Sequence, residues 1–319
     1  MCINETLKKI TKKRLLVVGD LILDHYTFGK VERISPEAPV PILKVEKESY
    51  LPGGAGNVMV NLMALGMEVV ALSRVGNDLA GKQTLQTLEE KGVNIEHVVE
   101  DGSFVTPLKK RMIASNQQLV RVDYEKVTPL PQKLEEQVIG YVRENIGNFS
   151  AVAISDYAKG FCSSCLLSEI VIEARKASVA VVVDPKSNTF SKYGAATLLK
   201  PNLSEACNAA HLPLDAPLER VAEKILAEAL CDHLLITRSS EGISLFSRGE
   251  ERLDFPVVER KVSDVTGAGD TVCAILSASL ANGCSLPDAS MLANLAASVV
   301  VQKTGCASVS LSELRSATI

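Results

Sequence analysis

The chain has 319 residues, 46% of them hydrophobic and 23% charged, with a formal net charge of −4 at pH 7. That acidic balance excludes a nucleic-acid binder, whose footprint is basic, and apolar runs no longer than "VVALS" and "VAVVV" are too short to cross a bilayer. The length suits a single α/β domain over 1–319. The eight scattered cysteines, most of them within apolar runs, suit reduced thiols in the cytoplasm better than a disulfide framework.

Near the N-terminus, "KKITKKRLLVVGDLIL" puts lysines before an apolar stretch. Asp20 interrupts that stretch and no small-residue cleavage site follows, so it reads as a basic lead-in to a first buried strand, "RLLVVGD". Asp20 and Asp24 are expected at the end of this strand. "APVPILKVEKESY" (38–50) is extended, because its prolines exclude a helix. "LPGGAGNVMVNL" (51–62) then passes from Gly53 and Gly54 into a helix whose Val58, Leu62 and Leu65 fall at i, i+4, i+7. "EVVALSRVG" is the next strand. "GNDLAGKQ" (76–83) has P-loop spacing, but Gln83 stands where a Ser or Thr must ligate magnesium, so it is rejected as the phosphate site.

"PLKKRMIASNQQLVRVDYEK" (107–126) reads as two alternating strands around the polar turn Ser115–Asn116–Gln117. Together with 25–50 it predicts a small antiparallel sheet, a flap able to close over a site and exclude water. Further on, "AVAISD", "VAVVVDP", "TLLKPN" and "HLLITRS" alternate with helical patterns. The expected fold is a mostly parallel sheet covered by helices on both faces. Cys162 and Cys165 form a CxxC, but no second pair or nearby His completes a metal site, and the redox reading is the minor one. The four histidines form no HxH or HExxH cluster.

Ligands of such sheets collect at the carboxyl ends of the strands, and four stretches belong there. "SDVTGAGDTVCAILSASLANG" (263–283) starts an apolar helix with two glycines and a carboxylate. Gly267, Ala268 and Gly269 can converge their amides on an anion at the positive helix end, with Asp270 beside it as a proton acceptor. The plain alternative is a Gly-rich turn with an acid favoured by the helix dipole. Gly53, Gly54 and Asn57 either let a ligand approach, Asn57 bonding its hydroxyls, or form an ordinary turn before a helix. In "KPNLSEACNAA" (200–210), Asn202 and Glu205 either face a hydrated magnesium ion or make a capping box. "VVVDPKSN" (181–188) brings Asp184 and Lys186 to the same edge.

Taken together, "DVTGAGD" with its apolar helix, the Gly-Gly segment ending at Asn57, "RVGNDLAGK" and "NLSE" resemble the ribokinase (PfkB) family of carbohydrate kinases over essentially the whole chain. The resemblance implies a three-layer α/β/α sandwich with a small β-sheet lid, about 25–50 and 107–126, and ATP with Mg2+ as cofactors. It implies that Asp270 is the base and that the Gly267–Gly269 amides stabilise the transferring phosphoryl group. Asn202, Leu203, Ser204, Glu205, Lys186, Thr237 and Asn294 would hold the nucleotide, with Glu205 and Asn202 on the metal through water. Asp24, Gly53, Gly54, Asn57, Arg111 and Arg121 would hold the sugar.

Within the family, "RISPEAPVPILKV", "SNQQLVRVDYE", "ISDYAKG" and "VDPKSNTFSKYGAATLLKPNLSE" look like the branch acting on C1 of D-glycero-β-D-manno-heptose 7-phosphate, in lipopolysaccharide-precursor synthesis. Lys109, Arg111 and Arg121 of the flap are its candidate readers of the 7-phosphate, or else exposed charges that aid solubility. The likeness further implies a cytoplasmic homodimer joined through the lid sheet. The HxGH motif of the adenylyltransferase often fused to such kinases is absent, so a stand-alone kinase is expected. The alternatives are a kinase of another sugar and, less favoured, a non-catalytic sugar sensor, which should lose Asp270 or its glycines. A nucleotide-dependent dehydrogenase would need GxGxxG, a spacing found nowhere in the chain.

Overall fold

The computed structural model describes residues 3–115, 117–258, 260, 262–303 and 305–318. A short helix, α1 (Ile3–Lys9), leads into β1 (Arg14–Gly19). There the chain leaves the body in a long antiparallel hairpin, β2 (Leu21–Ile34) and β3 (Pro41–Gly54), and returns at α2 (Ala55–Ala64). β4 (Glu68–Gly76), α3 (Leu79–Glu90) and β5 (Asn94–Asp101) follow, then a second excursion, β6 (Leu108–Ala114) and β7 (Gln117–Tyr124). The body resumes with α4 (Gln132–Asn145), β8 (Ala151–Asp156), α5 (Ser164–Lys176), β9 (Ala180–Pro185) and β10 (Leu198–Leu199). α6 (Leu203–Ala209), α7 (Leu218–Ala229), β11 (His233–Thr237), β12 (Ile243–Ser247) and β13 (Leu253–Phe255) come next. Three helices close the chain: α8 (Ala268–Ala281), α9 (Leu286–Val300) and α10 (Leu311–Ala317).

Nine strands form the main sheet in the order β13-β12-β11-β10-β9-β8-β1-β4-β5. β12 pairs antiparallel with both its neighbours, and the other pairs are parallel. Strand alternation sorts the core into two layers. Leu16, Val18, Val152, Ile154, Val181 and Val183 meet the apolar faces of α4 to α7. Leu15, Val17, Ala151, Ala153 and Val182 meet α2, α8 and α9. Burial on both faces explains why β8 is sealed at every position and carries no polar alternation. α8 is buried from Asp270 through Ser279, as an all-round apolar helix must be.

Two expectations need correction. Asp24 does not end the first strand: β1 stops at Gly19, and Asp24 lies inside β2. The small sheet, order β3-β2-β6-β7, is mixed, since β2 and β6 run parallel while both hairpins are antiparallel. Its strands also begin earlier than 25 and reach Gly54. Asn116, the middle of the expected turn, lies outside the described residues. The P-loop decoy is helix-start chemistry, with the Asp78 side chain accepting from the Gly81 amide at 2.7 Å. Cys162 is buried and Cys165 exposed, both as free thiols.

Candidate active site

Asp20, Asp156, Asp184, Asn202 and Thr237 all sit at the carboxyl edge of the main sheet, where α8 aims its N-terminus. Gly267 makes that approach possible. Its φ of 79° is left-handed, and a Cβ there would lie 2.5 Å from Nδ2 of Asn57. The first bond of the α8 ladder runs from the Thr271 amide to Gly267 O. The amides of Gly269 and Asp270 therefore precede the ladder and face outward at the positive end of the helix.

Asp270 is buried at 4% exposure. The Asn57 amide donates to its Oδ2 at 2.8 Å, and the Tyr157 hydroxyl donates to its Oδ1 at 3.0 Å. Burial, reinforced by the charge of Asp184, lifts its pKa to about 6 although both hydrogen bonds favour the charged form. Burial and the same Asp270 charge push the Tyr157 phenol well above its ordinary range, so it stays a donor. Asp20 receives the amides of Tyr157, Lys159 and Phe161 and so fixes the loop that carries Tyr157.

A chain of alternating charges runs beside the helix end. Lys200, buried, stands 3.1 Å from Oδ2 of Asp184, an ion pair without hydrogen-bond alignment. Its Nζ is 3.5 Å from where a Cβ on Gly269 would be, which puts a buried cation close beneath the helix end. Lys186 reaches Oδ1 of Asp184 at 3.4 Å and Oε1 of Glu205 at 2.7 Å. Burial alone would lower the Lys186 pKa, but these two carboxylates hold it above its ordinary value.

Glu205 is the N3 residue of α6 and completes a capping box. Its amide donates to Asn202 Oδ1 at 2.9 Å, and its Oε2 accepts from the Asn202 amide at 2.8 Å. The cap is therefore what forms, while Oε1 serves Lys186. Leu203 and Ser204 open the same helix, and Thr237 bridges to Asn202 across the strand ends. Asn294 donates to Pro256 O at 2.7 Å and so secures the segment after β13.

The sugar candidates form a separate wall. Asp24 is buried, with Arg111 donating to Oδ1 and the Cys306 thiol donating to Oδ2 at 3.3 Å. Gly53 is required beside it, since a Cβ there would lie 2.5 Å from Oδ2. Gly54 caps α2, which carries Asn57. Arg111 is thus committed to a carboxylate. Arg121, directly opposite it in the β6–β7 register, is exposed and bonds Asp123 at 2.9 Å. Asp264 accepts the amides of Thr266 and Gly305, tying the α8 approach to the Cys306 loop. Reading the sequence missed Tyr157, Lys200 and Cys306 as individual residues. Lys200 and Tyr157 did carry a signal, each immediately following the carboxyl end of a buried strand.

A buried carboxylate held at the positive end of a helix, with lysines gathered at the carboxyl edge of a parallel sheet, has the layout of a phosphotransferase site on an α/β/α sandwich. The model of the pfkB family of carbohydrate kinases matches residues 12–313, and the chain belongs to that family. It is an ATP-dependent kinase acting on a sugar hydroxyl. The chain is 46% identical over 301 residues to the bifunctional protein HldE of Geobacter metallireducens, covering 94% of this chain and 61% of that protein. It thus spans about three fifths of the length of that relative. Two solved structures share the fold. Phosphofructokinase-2 from Escherichia coli in complex with potassium superposes with a TM-score of 0.79 at 20% identity, over 97% of this chain and 98% of that one. Arabidopsis thaliana ribokinase complexed with ribose and ATP gives 0.73 at 19% identity, over 97% and 99%.

Proposed function

We propose that the chain transfers the γ-phosphoryl group of ATP to the C1 hydroxyl of D-glycero-β-D-manno-heptose 7-phosphate, giving the 1,7-bisphosphate used to make ADP-heptose for lipopolysaccharide. The buried Asp270, doubly hydrogen-bonded at the helix end, carries the chemical part of this reading. The likeness to the HldE protein carries the choice of sugar.

Asp270 takes the proton of the attacking hydroxyl, and a pKa of about 6 leaves it mostly ionised at neutral pH. Asn57 and Tyr157 hold the carboxylate so that one oxygen lone pair faces the acceptor. The Gly269 and Asp270 amides, with Lys200 beneath them, stabilise charge on the transferring group. Lys186 meets the nucleotide phosphates. Magnesium, which fits a single rim carboxylate such as Glu205 with water between, would neutralise those phosphates. Asp24 and Asn57 hold sugar hydroxyls, and Arg121 faces the 7-phosphate, with Arg111 held on Asp24 beside it.

The small sheet acts as the lid. Val45 and Tyr50 on β3 and Leu119, Val120 and Tyr124 on β7 are exposed on its two outer strands. A second copy covering these strands would make the cytoplasmic homodimer and shield the strand edges. The test is an ADP-release assay with heptose 7-phosphate, fructose 6-phosphate, ribose and unphosphorylated heptose. The reading requires the first to have the highest kcat/KM.

A further inference from the structure

Tyr26 presents an unusual polar group. Its side chain is buried at 4% exposure, and its hydroxyl has no hydrogen-bond partner among the described residues. A phenol placed so would ordinarily cost stability, because the hydroxyl has left water without replacing its bonds. Nothing in the folding of the small sheet asks for it: the ring already stacks on Phe28 at 6.1 Å and lies under the Arg111 guanidinium at 5.1 Å, contacts a phenylalanine would make equally well.

The position of the hydroxyl suggests its use. Tyr26 stands two residues beyond Asp24 on β2, so strand alternation sends both side chains to the same face. The hydroxyl is 3.5 Å from where a Cβ on Gly305 would lie, next to Cys306, whose thiol bonds Asp24. The Cα of Cys306 is in turn 3.5 Å from the Cβ position of Gly267, whose neighbour Asn57 holds Asp270. One continuous wall thus joins the proton acceptor to Asp24, Arg111 and Tyr26. On that wall Asp24 has its partners, and the Tyr26 hydroxyl has none among the described residues.

We infer that Tyr26 is an acceptor-binding residue whose phenol hydroxyl is kept open for a hydroxyl group of the sugar lying against Asp24. This rests on the kinase site proposed above but not on which sugar fills it. Among the described residues nothing meets this hydroxyl, and the acceptor would satisfy it. Such a group works for binding and against the stability of the empty protein, and those two effects can be read separately.

The test is Tyr26→Phe, which keeps the ring and removes only the hydroxyl. Parent and variant are assayed by ADP release with whichever of heptose 7-phosphate, fructose 6-phosphate and ribose the parent turns over fastest. The expected result is an acceptor KM raised about 3- to 10-fold, the equivalent of one uncharged hydrogen bond, with KM for ATP within twofold. The free variant should melt at the parent's temperature or above it. An unchanged acceptor KM would overturn the inference, and so would a lower melting temperature, which would mean that the hydroxyl is already bonded in the empty protein. The ranking of the three sugars tests the heptose assignment by itself, so the two ideas fail separately.

Discussion

The Nδ2 of Asn57 lies 2.8 Å from Oδ2 of Asp270, joining residues 213 positions apart at the start of two helices. Each helix begins beside a glycine, Gly54 and Gly267, whose positive φ and close neighbours would strain any larger residue. The pairing holds the acid in place, and with Tyr157 it favours the charged form against the burial that opposes it.

Asp270→Asn should fold and lose about 10²- to 10⁴-fold in kcat, the usual cost of removing a general base. Purified mutant assayed by ADP release checks this. Near-normal turnover would remove Asp270 from the base role.

The parent enzyme should also show an acid limb. A base with a pKa near 6 must be ionised to work, so kcat should fall about tenfold per pH unit below that value. Stability moves the other way. The carboxyl binds its proton more tightly in the folded protein than in the unfolded chain, so stability is lost as pH rises from the ordinary carboxylate range through about 6. Asp270→Asn removes that loss, and its melting temperature relative to the parent should be higher at pH 7.5 than at pH 5.

Gly267→Ala places a methyl group 2.5 Å from the Asn57 amide at a left-handed φ of 79°. The backbone strain alone should cost about 1–2 kcal/mol. Displacing Asn57 from Asp270 should lower kcat well beyond what that destabilisation explains. Kinetics below the melting range, set beside a denaturant titration, separate the two effects.

Glu205→Gln distinguishes a cap from a metal carboxylate. Glutamine still accepts the Asn202 amide, so stability should change by less than about 1 kcal/mol. Loss of the charge should release Lys186 and raise both KM for ATP and the magnesium needed for half-maximal rate by roughly tenfold. A magnesium titration that matches the parent would assign Glu205 to capping alone.

The two flap arginines should respond differently. Arg121→Ala breaks only an exposed pair with Asp123, worth little to stability, and should raise KM for the phosphorylated heptose with ATP unaffected. Arg111→Ala strands the buried carboxylate of Asp24 and should cost about 3–5 kcal/mol as well. Equal losses on phosphorylated and unphosphorylated heptose in both mutants would mean that the flap does not read the phosphate.

Most of the body was legible from residue order alone. Short apolar runs between helical patterns, such as the "AVAI" of "AVAISD", read as strands buried on both faces, and a glycine-opened helix with almost no polar face reads as one that lies inside. Those are local consequences of hydrophobic patterning, and they placed Asp270, Asn57, Asp184 and Lys186 at one edge of the sheet. Tertiary structure alone decided what each polar group does there. The sequence left open whether Asn202 and Glu205 cap a helix; the short α6 brings each within hydrogen-bond reach of the other's amide, while Oε1 of Glu205 turns to Lys186. Arg111 looked free until the parallel pairing of β2 with β6, a contact between segments more than 80 residues apart, set it on Asp24. Tyr157, Lys200 and Cys306 gained their partners in the same way. A side chain's residue type states which bonds it can make, but its partners come from distant segments, and only the packed chain determines which of those bonds are filled and which stay open.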